Sequence, residues 1–324
     1  MMAKKMILRV FSLLVLFAAA AGAPSSRRGG GELYRPCFDS RELAAQAGSE
    51  EVVLVTASYD YRGILMNWLV AMDAVDDVGT VTVLCLDEGL RSFLRSVALD
   101  CVPCYARGPA PPRGRNGHIW YSRVKALAEV LALEGGGKNV TLSDVDAVWL
   151  RSPRPYWGLG DIVASRGSFP SWAAKEWGAS LCMGLVRFAQ SAASFVEDRL
   201  LPDFHGDDQI ALNTALKNAG LKWRGGGGGD ELLEYVDSTE VDVGDTANIE
   251  PGGPLKVALL PHDKFVRICD RPEDATGGVV VVKHCYTAKN VASKESSLAQ
   301  RRLWFLADDW QDRIPRAPPL ASDK

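Results

Sequence analysis

An α/β fold, with a mainly parallel central sheet flanked by helices in one catalytic-sized domain, is predicted by two observations. From Glu50 onward, short apolar and β-branched runs alternate with stretches of helical periodicity. No internal repeat and no linker divides residues 50–310, so a single domain accounts for that span. Composition agrees. Of 324 residues, 47% are hydrophobic and 24% charged, enough for a sizeable core. The net charge of −3 gives no basic footprint for nucleic acid, so a bound phosphate must be met by a metal or a few placed cations.

The elements follow in order. Residues 1–23 begin with Lys4, Lys5 and Arg9, continue as an apolar run from Val10 to Ala23, and present Ala21-Gly22-Ala23 before Pro24. This is the pattern of a signal peptide with a small-residue cleavage site. The run is shorter than the about 20 residues of a spanning helix, but extension back through Met6–Leu8 would give an uncleaved anchor. Either reading sends the chain into the secretory pathway, to the Golgi lumen as a type II protein or outside the cell. Residues 24–49, rich in glycine, serine and charge, read as a flexible stem, with order beginning near Glu50.

"EVVLVTASYD" then reads as a strand, Gly63–Ala74 as a helix, "GTVTVLCLDEG" as a strand ending in Asp87, and Glu88–Val97 as a helix. After the loop "PAPPRGRNG", Trp120, Val124, Leu127 and Leu131 recur at helical spacing, and Gly135 to Gly137 stop that helix. The strand Asn139–Leu142 follows at once. "DIVAS" and "ASLCMGLVRF" are further strands, and "DDQIALNTALKNAG" is a helix with an aspartate at its start and Gly220 as its stop. The glycine run 225–229 is a loop, "PLKVALLP" and "GGVVVVKHCY" are strands, Lys294–Leu306 is a last helix, and residues 311–324 are a disordered tail.

Seven cysteines leave at least one unpaired in an oxidising lumen. The "CVPC" at 101–104 fits a redox pair, half a zinc site or a local disulfide. With no second CxxC to complete a zinc site, local bridging or plain burial is favoured.

The chemistry centres on "LSDVDAVWLRSP". Asp144 and Asp146 stand just past the C-terminal end of a strand, where open α/β sheets form their binding crevice. Two carboxylates aimed into one crevice repel each other, and a hard cation such as Mn²⁺ or Mg²⁺ offsets that repulsion while sharing its coordination with substrate phosphates. A turn in which both acids are merely solvated is the plainer reading. Elsewhere too the plain readings stand: Asp87, Asp207 and Asp208 as helix caps, Arg123, Lys125, Lys289 and Lys294 as surface charges, and His284 as a structural histidine.

Together, however, several segments resemble the nucleotide-diphospho-sugar transferases of glycosyltransferase family 77, which includes plant rhamnogalacturonan-II xylosyltransferases and extensin arabinosyltransferases. They are "LSDVDAVWLRSP", "MNWL", "VLCLDEG", "HIWYSRVKALAEVL", "GDDQIALN", "ALLPHDKF" and "VVKHCYTAK", in the family's order over most of residues 50–304. The resemblance implies a GT-A fold with a Rossmann-like sheet, a UDP-sugar donor, a divalent cation, a glycan or glycoprotein acceptor and transfer with retention. By position it implies Asp146 as direct metal ligand, Asp144 toward the ribose or on the metal through water, and His284 completing the metal shell. Lys289 or Lys294 would meet the diphosphate, Arg123 and Lys125 the donor, and Asp87 the region of the base. Asp208 and Gln209 would face the reacting sugar. Two departures stand out: Cys182 occupies a place where relatives often carry Asn, and no glycine follows in "HCYTAK".

Two alternatives share these residues. Asp144-Val145-Asp146-Ala147-Val148 also fits the D-x-D-x-[TV] motif of haloacid-dehalogenase-like phosphatases, although two βα units precede it here. A secreted carbohydrate-binding module that keeps the site without turnover is the other. The sequon Asn139-Val140-Thr141 lies in the strand feeding the aspartates and is expected to be buried and unmodified. The sequence sets no oligomeric state.

Overall fold

The computed structural model describes residues 38–104, 117–133, 138–224, 241–247, 253–269, 279–286 and 290–311. Helix α1 (Ser40–Gln46) opens them, its first turn capped by the Asp39 carboxylate, which accepts from the N–H groups of Arg41 and Glu42. Strand β1 (Glu51–Ala57) pairs in parallel with β2 (Thr80–Cys85) on one side and with β4 (Asn139–Ser143) on the other. Helix α2 (Arg62–Asp73) joins β1 to β2, and α3 (Glu88–Ser96) leads to β3 (Val102–Pro103), which pairs in parallel with β2. Helix α4 (Gly117–Leu131) precedes β4. The chain therefore steps outward from β1 to β3 and returns on the other side of β1. This makes the gap between β1 and β4 a topological switch point, with a crevice outside their carboxyl ends.

Beyond β4 come β5 (Val148–Trp149), α5 (Arg154–Trp157), β6 (Ile162–Gly167), α6 (Ser171–Trp177) and β7 (Ser180–Phe188). After the helical turns of residues 193–200 follow α7 (Asp208–Asn218), β8 (Lys222–Trp223), β9 (Asp242–Asp245) and β10 (Lys256–Leu259). The large sheet runs β3-β2-β1-β4-β7-β6-β10-β9-β8. Its β3-to-β4 half is wholly parallel, as predicted, and β10 is parallel to β6, while β7 lies antiparallel to both neighbours and β8 and β9 close the edge antiparallel. Alternate residues of β1 serve opposite layers. Val52 and Leu54 pack with Leu43, Val124 and Leu127, whereas Val53 and Val55 pack with Ile64, Trp68 and Leu90.

A small second sheet, β11-β12-β5, is formed by β11 (Phe265–Val266), β12 (Val282–Lys283) and β5. It attaches the C-terminal part to the segment just after the aspartates: β12 runs antiparallel to β5 with Lys283 opposite Val148, so residue 284 lands beside residue 147. Helix α8 (Val291–Gln300) follows, capped by Asn290.

Several expectations need correction. Order begins before Glu50, because α1 lies inside the span read as stem and buries Leu43 in the core. A seven-residue helix with one large apolar side chain is too short to show a period, so the sequence hid it. "CVPC" does not bridge on itself: Cys101 is bonded to Cys85, and Cys104 is also disulfide-bonded. The apolar run "GGVVVVKHCY" yields only the two-residue β12, and the last helix spans Val291–Gln300 rather than Lys294–Leu306. Asn139 is half-buried rather than buried, its amide donating to Glu51 and accepting from the Gln190 N–H. Among the described residues no helix is long and apolar enough to cross a membrane. The expected leader, the glycine run 225–229 and the tail beyond residue 311 lie outside the described residues.

Candidate active site

The aspartate turn is braced from below. The Asp144 N–H donates to the Gly184 carbonyl at 2.8 Å, and the Ala147 N–H donates to the Asp144 carbonyl at 3.0 Å, closing the turn. Two indoles hold its flanks. Trp68 Nε1 donates to the Ala147 carbonyl at 2.9 Å and Trp149 Nε1 to Ser143 Oγ at 3.2 Å, with the rings T-shaped at 6.5 Å. The neighbouring Asn67 is fully buried and pins the C-terminal segment, donating to the Leu303 carbonyl and accepting from the Phe305 N–H. The "MNWL" segment thus ties the start of the fold to the aspartate turn and to the chain's far end.

Into this turn the small sheet delivers His284. Its Nε2 lies 3.6 Å from Asp144 Oδ2 and 3.5 Å from Asp146 Oδ1, and one ligand atom from each residue falls within 4.8 Å of the others. Space for this approach comes from Gly184 on β7. A Cβ there would stand 2.2 Å from His284 Cε1 and 2.6 Å from Asp144 Oδ2, so no other residue fits. His284 is gripped through its backbone: its N–H donates to the Val266 carbonyl at 2.9 Å and its carbonyl accepts from Arg267 Nη1 at 2.9 Å. The disulfide Cys269–Cys285 joins the same two segments just past their strands. His262 holds the other end of that loop, Nε2 accepting from the N–H groups of Arg267 and Ile268.

Two hard oxygens and one imidazole nitrogen, brought together from two separate segments, suit a divalent cation. The cradle that only glycine leaves open, with Nε2 turned toward both carboxylates, fits such an ion held at Nε2. Charge is arranged accordingly. Burial would raise the Asp146 carboxyl, but the His284 hydrogen bond and the Lys294 ammonium outweigh it and hold Asp146 well below the usual carboxylate range. Burial and Arg267 work against the charged form of His284, yet Asp146 and Cys182 together lift its pKa above the ordinary value. Lys294, on α8, pairs directly with Asp146 Oδ2 and is raised by it despite burial. Cys182 is a buried free thiol; burial would raise it, but Arg267 and His284 draw it down to about 6.

A second polar group adjoins the first. Arg123 Nη1 contacts Asp144 Oδ1 at 3.0 Å and Asp208 Oδ2 at 3.4 Å, while its Nη2 donates to the Met183 carbonyl at 2.6 Å. On the other side of that residue, the Met183 N–H donates to Gln209 Oε1 at 3.1 Å, and Gln209 Nε2 donates to the Phe169 carbonyl. Asp208 is 6% exposed, and burial, reinforced by Asp144 and Asp207 against the pull of Arg123, pushes its pKa up to about 7. The helix-capping role falls to Asp207, which accepts from the Ile210 N–H, leaving Asp208 free to face the cluster.

Of the residues singled out in the sequence, Asp144, Asp146, His284, Lys294, Arg123, Asp208 and Gln209 converge here. Asp87 does not join them; it caps α3 through the Leu90 N–H and also accepts from the Tyr59 N–H. Lys125 pairs with Glu129 one turn along α4. Lys289 lies outside the described residues. Sequence reasoning missed Gly184 and Arg267. An isolated glycine inside an apolar strand is a known mark of close approach and would have flagged the first. A lone arginine after an apolar pair carries no signal, so the second could not be read.

A crevice at a sheet switch point, opening on an Asp-x-Asp turn with a distant histidine, is the layout of a nucleotide-sugar transferase of GT-A architecture. The chain belongs to the nucleotide-diphospho-sugar transferase family, whose model matches residues 78–296. No curated protein sequence matches the chain. Similar solved structures include the glycosyltransferase GlyE of Streptococcus pneumoniae TIGR4, at 14% identity and a TM-score of 0.34 over 53% of this chain. The galactosyltransferase LgtC, solved with donor and acceptor sugar analogues, is similar at 16% identity and a TM-score of 0.32, over 50% of this chain and 69% of its own. The match to GlyE spans 44% of that protein's length. Such partial likenesses bear on neither substrate nor mechanism.

Proposed function

We propose that this protein is a metal-dependent glycosyltransferase that moves a pentose or hexose from a UDP-sugar to a glycan or glycoprotein acceptor, with retention. The observation that carries the reading is the meeting of Asp144, Asp146 and His284 over Gly184 in a chain of this family. Asp146 and His284 would hold Mn²⁺, or Mg²⁺ in its place, with Asp144 reaching the ion directly or through water while also facing the ribose. Bound there, the cation supplies Lewis-acid neutralisation of the departing diphosphate.

The chain's own side chains do the rest. Lys294 is placed beside Asp146 to add positive charge on the diphosphate, a role suited to a compact ammonium. Arg123 fixes Asp144 and Asp208 relative to each other, so both carboxylates keep their aim without reorganising. Gln209 is anchored at both ends of its amide and presents a fixed dipole beside Asp208, toward the sugar on which positive charge develops. The family 77 segments of the sequence, the disulfides Cys85–Cys101 and Cys269–Cys285 and the leader-like residues 1–23 together support a site of action in the secretory pathway.

The phosphatase alternative has less in its favour. Asp144 follows the fourth strand of the large sheet, and Asp208 begins a helix rather than ending a strand. Donor hydrolysis separates the readings. With Mn²⁺, the protein is expected to release UDP from one of UDP-xylose, UDP-arabinose or UDP-galactose, and Asp146→Ala to abolish that release. Release of phosphate from a phosphomonoester instead, or unchanged turnover in the variant, contradicts the proposal.

A further inference from the structure

Among the described residues, three exposed large apolar side chains gather at one rim of the site. They are Phe169 at 50% exposure, Tyr286 at 42% and Ile210 at 37%. Single exposed apolar residues are ordinary on a protein surface, but here the Tyr286 ring and the Phe169 backbone are fixed. Tyr286, two residues past His284, has the Arg267 guanidinium 4.5 Å from its ring centroid, its hydroxyl 3.3 Å from Ser168 Oγ, and its N–H bonded to the Arg267 carbonyl. One ring face is therefore covered by Arg267. Phe169 follows Ser168, and its carbonyl accepts from both Gln209 Nε2 and Ser180 Oγ. Ile210 follows Gln209 on α7. Gly167 admits this packing, since a Cβ there would meet Ser180 Oγ at 2.9 Å and Gln209 Nε2 at 3.4 Å.

An aromatic ring held beside hydroxyl groups, as Tyr286 is, with a second exposed ring next to Ser168 in the sequence, matches the surface of a sugar, whose C–H face is apolar and whose edge is hydroxylated. The rim lies at the ends of β6 and β12, on the far side of the aspartate turn from β1 and β2. The nucleotide belongs to the β1–β4 switch point. The rim is therefore placed for the other substrate.

Resting on the transferase reading above, we propose that Phe169 and Tyr286 form the acceptor subsite and stack a neutral sugar ring of a glycan, with Ser168 and the Tyr286 hydroxyl meeting its hydroxyl edge. Gln209 couples this platform to the reacting centre, because one amide bonds Phe169 and Met183 together.

The test uses the full chain with Mg²⁺ and UDP, and a set of methyl glycosides of galactose, glucose, xylose and arabinose, read by saturation-transfer NMR and by calorimetry of Mg²⁺–UDP. The wild type is expected to saturate the ring protons of at least one glycoside. Phe169→Ala and Tyr286→Ala should each weaken that glycoside about tenfold. Tyr286→Phe, which keeps the ring, should weaken it less, and Mg²⁺–UDP affinity should be the same in wild type, Phe169→Ala and Tyr286→Phe. Because Phe169 is half exposed, its variant reports even where Tyr286→Ala does not fold. Unchanged glycoside affinity in the variants overturns the proposal. So does equal loss of Mg²⁺–UDP affinity and glycoside affinity, or a wild type that binds Mg²⁺–UDP but none of the glycosides. A wild type that binds UDP with neither Mg²⁺ nor Mn²⁺ overturns the transferase reading itself.

Discussion

His284 Nε2 stands 3.5 Å from Asp146 Oδ1, although the two residues lie far apart in the sequence. The link is made by two residues of β12 pairing with two of β5, so the site depends on a very small sheet. Whatever disturbs that sheet, or the glycine beneath it, should be read out as metal affinity before it is read out as loss of fold.

Gly184→Ala is the sharpest such disturbance. The added methyl overlaps His284 and Asp144 at once, and both must shift. Mn²⁺ affinity should fall roughly 10–100-fold, as for loss of a group that orients metal ligands. Titration followed by electron paramagnetic resonance measures it. Unchanged affinity would mean that His284 is not held where it now stands.

The disulfide Cys269–Cys285 gives a gentler test. It adjoins His284 and lies two residues past Arg267, which bonds the His284 carbonyl. Replacing both cysteines by serine should lower Mn²⁺ affinity about tenfold, whereas loss of Cys85–Cys101, which adjoins no site residue in the sequence, should not. Equal effects from the two pairs would show that general destabilisation, not positioning, is responsible.

Proton competition follows from the raised pKa of His284. Only neutral imidazole ligates a metal, so binding must release its proton. Mn²⁺ affinity is expected to be flat at high pH and to fall about tenfold per pH unit once pH drops below the raised value, which lies above 6.5. Asp146 stays charged throughout this range, because its carboxyl is held low. Calorimetry at pH 8, 7 and 6 checks the slope, and His284→Gln should remove it.

Asp208 should leave a mark on stability. Its folded pKa of about 7 exceeds the ordinary 3.8, so folding favours the protonated acid. That contribution is fully present below about pH 4 and is lost as pH rises through about 7. In metal-free protein, Asp208→Asn lacks this loss. Its melting temperature should gain about 5–10 °C on the wild type between pH 5 and pH 8. A difference that does not change with pH would contradict the raised pKa.

Much of this arrangement was legible beforehand because strong local patterns coincide with the parts that matter. The β-rich runs before Asp87 and Asp144 become β2 and β4, and the ordered segments around Asn67, Asp144, Asp208 and His284 meet at one place. What escaped reading has a common cause. Helix α1, β5 and β11 are too short to show a period, and their existence is decided by partners far along the chain. Arg267 likewise acquires its role only when β11 and β12 align. Asp87 and Lys125 show the converse: local roles as cap and i,i+4 partner account for both.

The central claim, that Asp146 and His284 hold a cation that in turn holds a nucleoside diphosphate, is tested most directly by calorimetric titration of UDP with and without Mn²⁺. The wild type should bind UDP tightly only with Mn²⁺ present, and Asp146→Ala should reduce that binding to the metal-free level. UDP binding that ignores Mn²⁺, or that survives intact in Asp146→Ala, would contradict it.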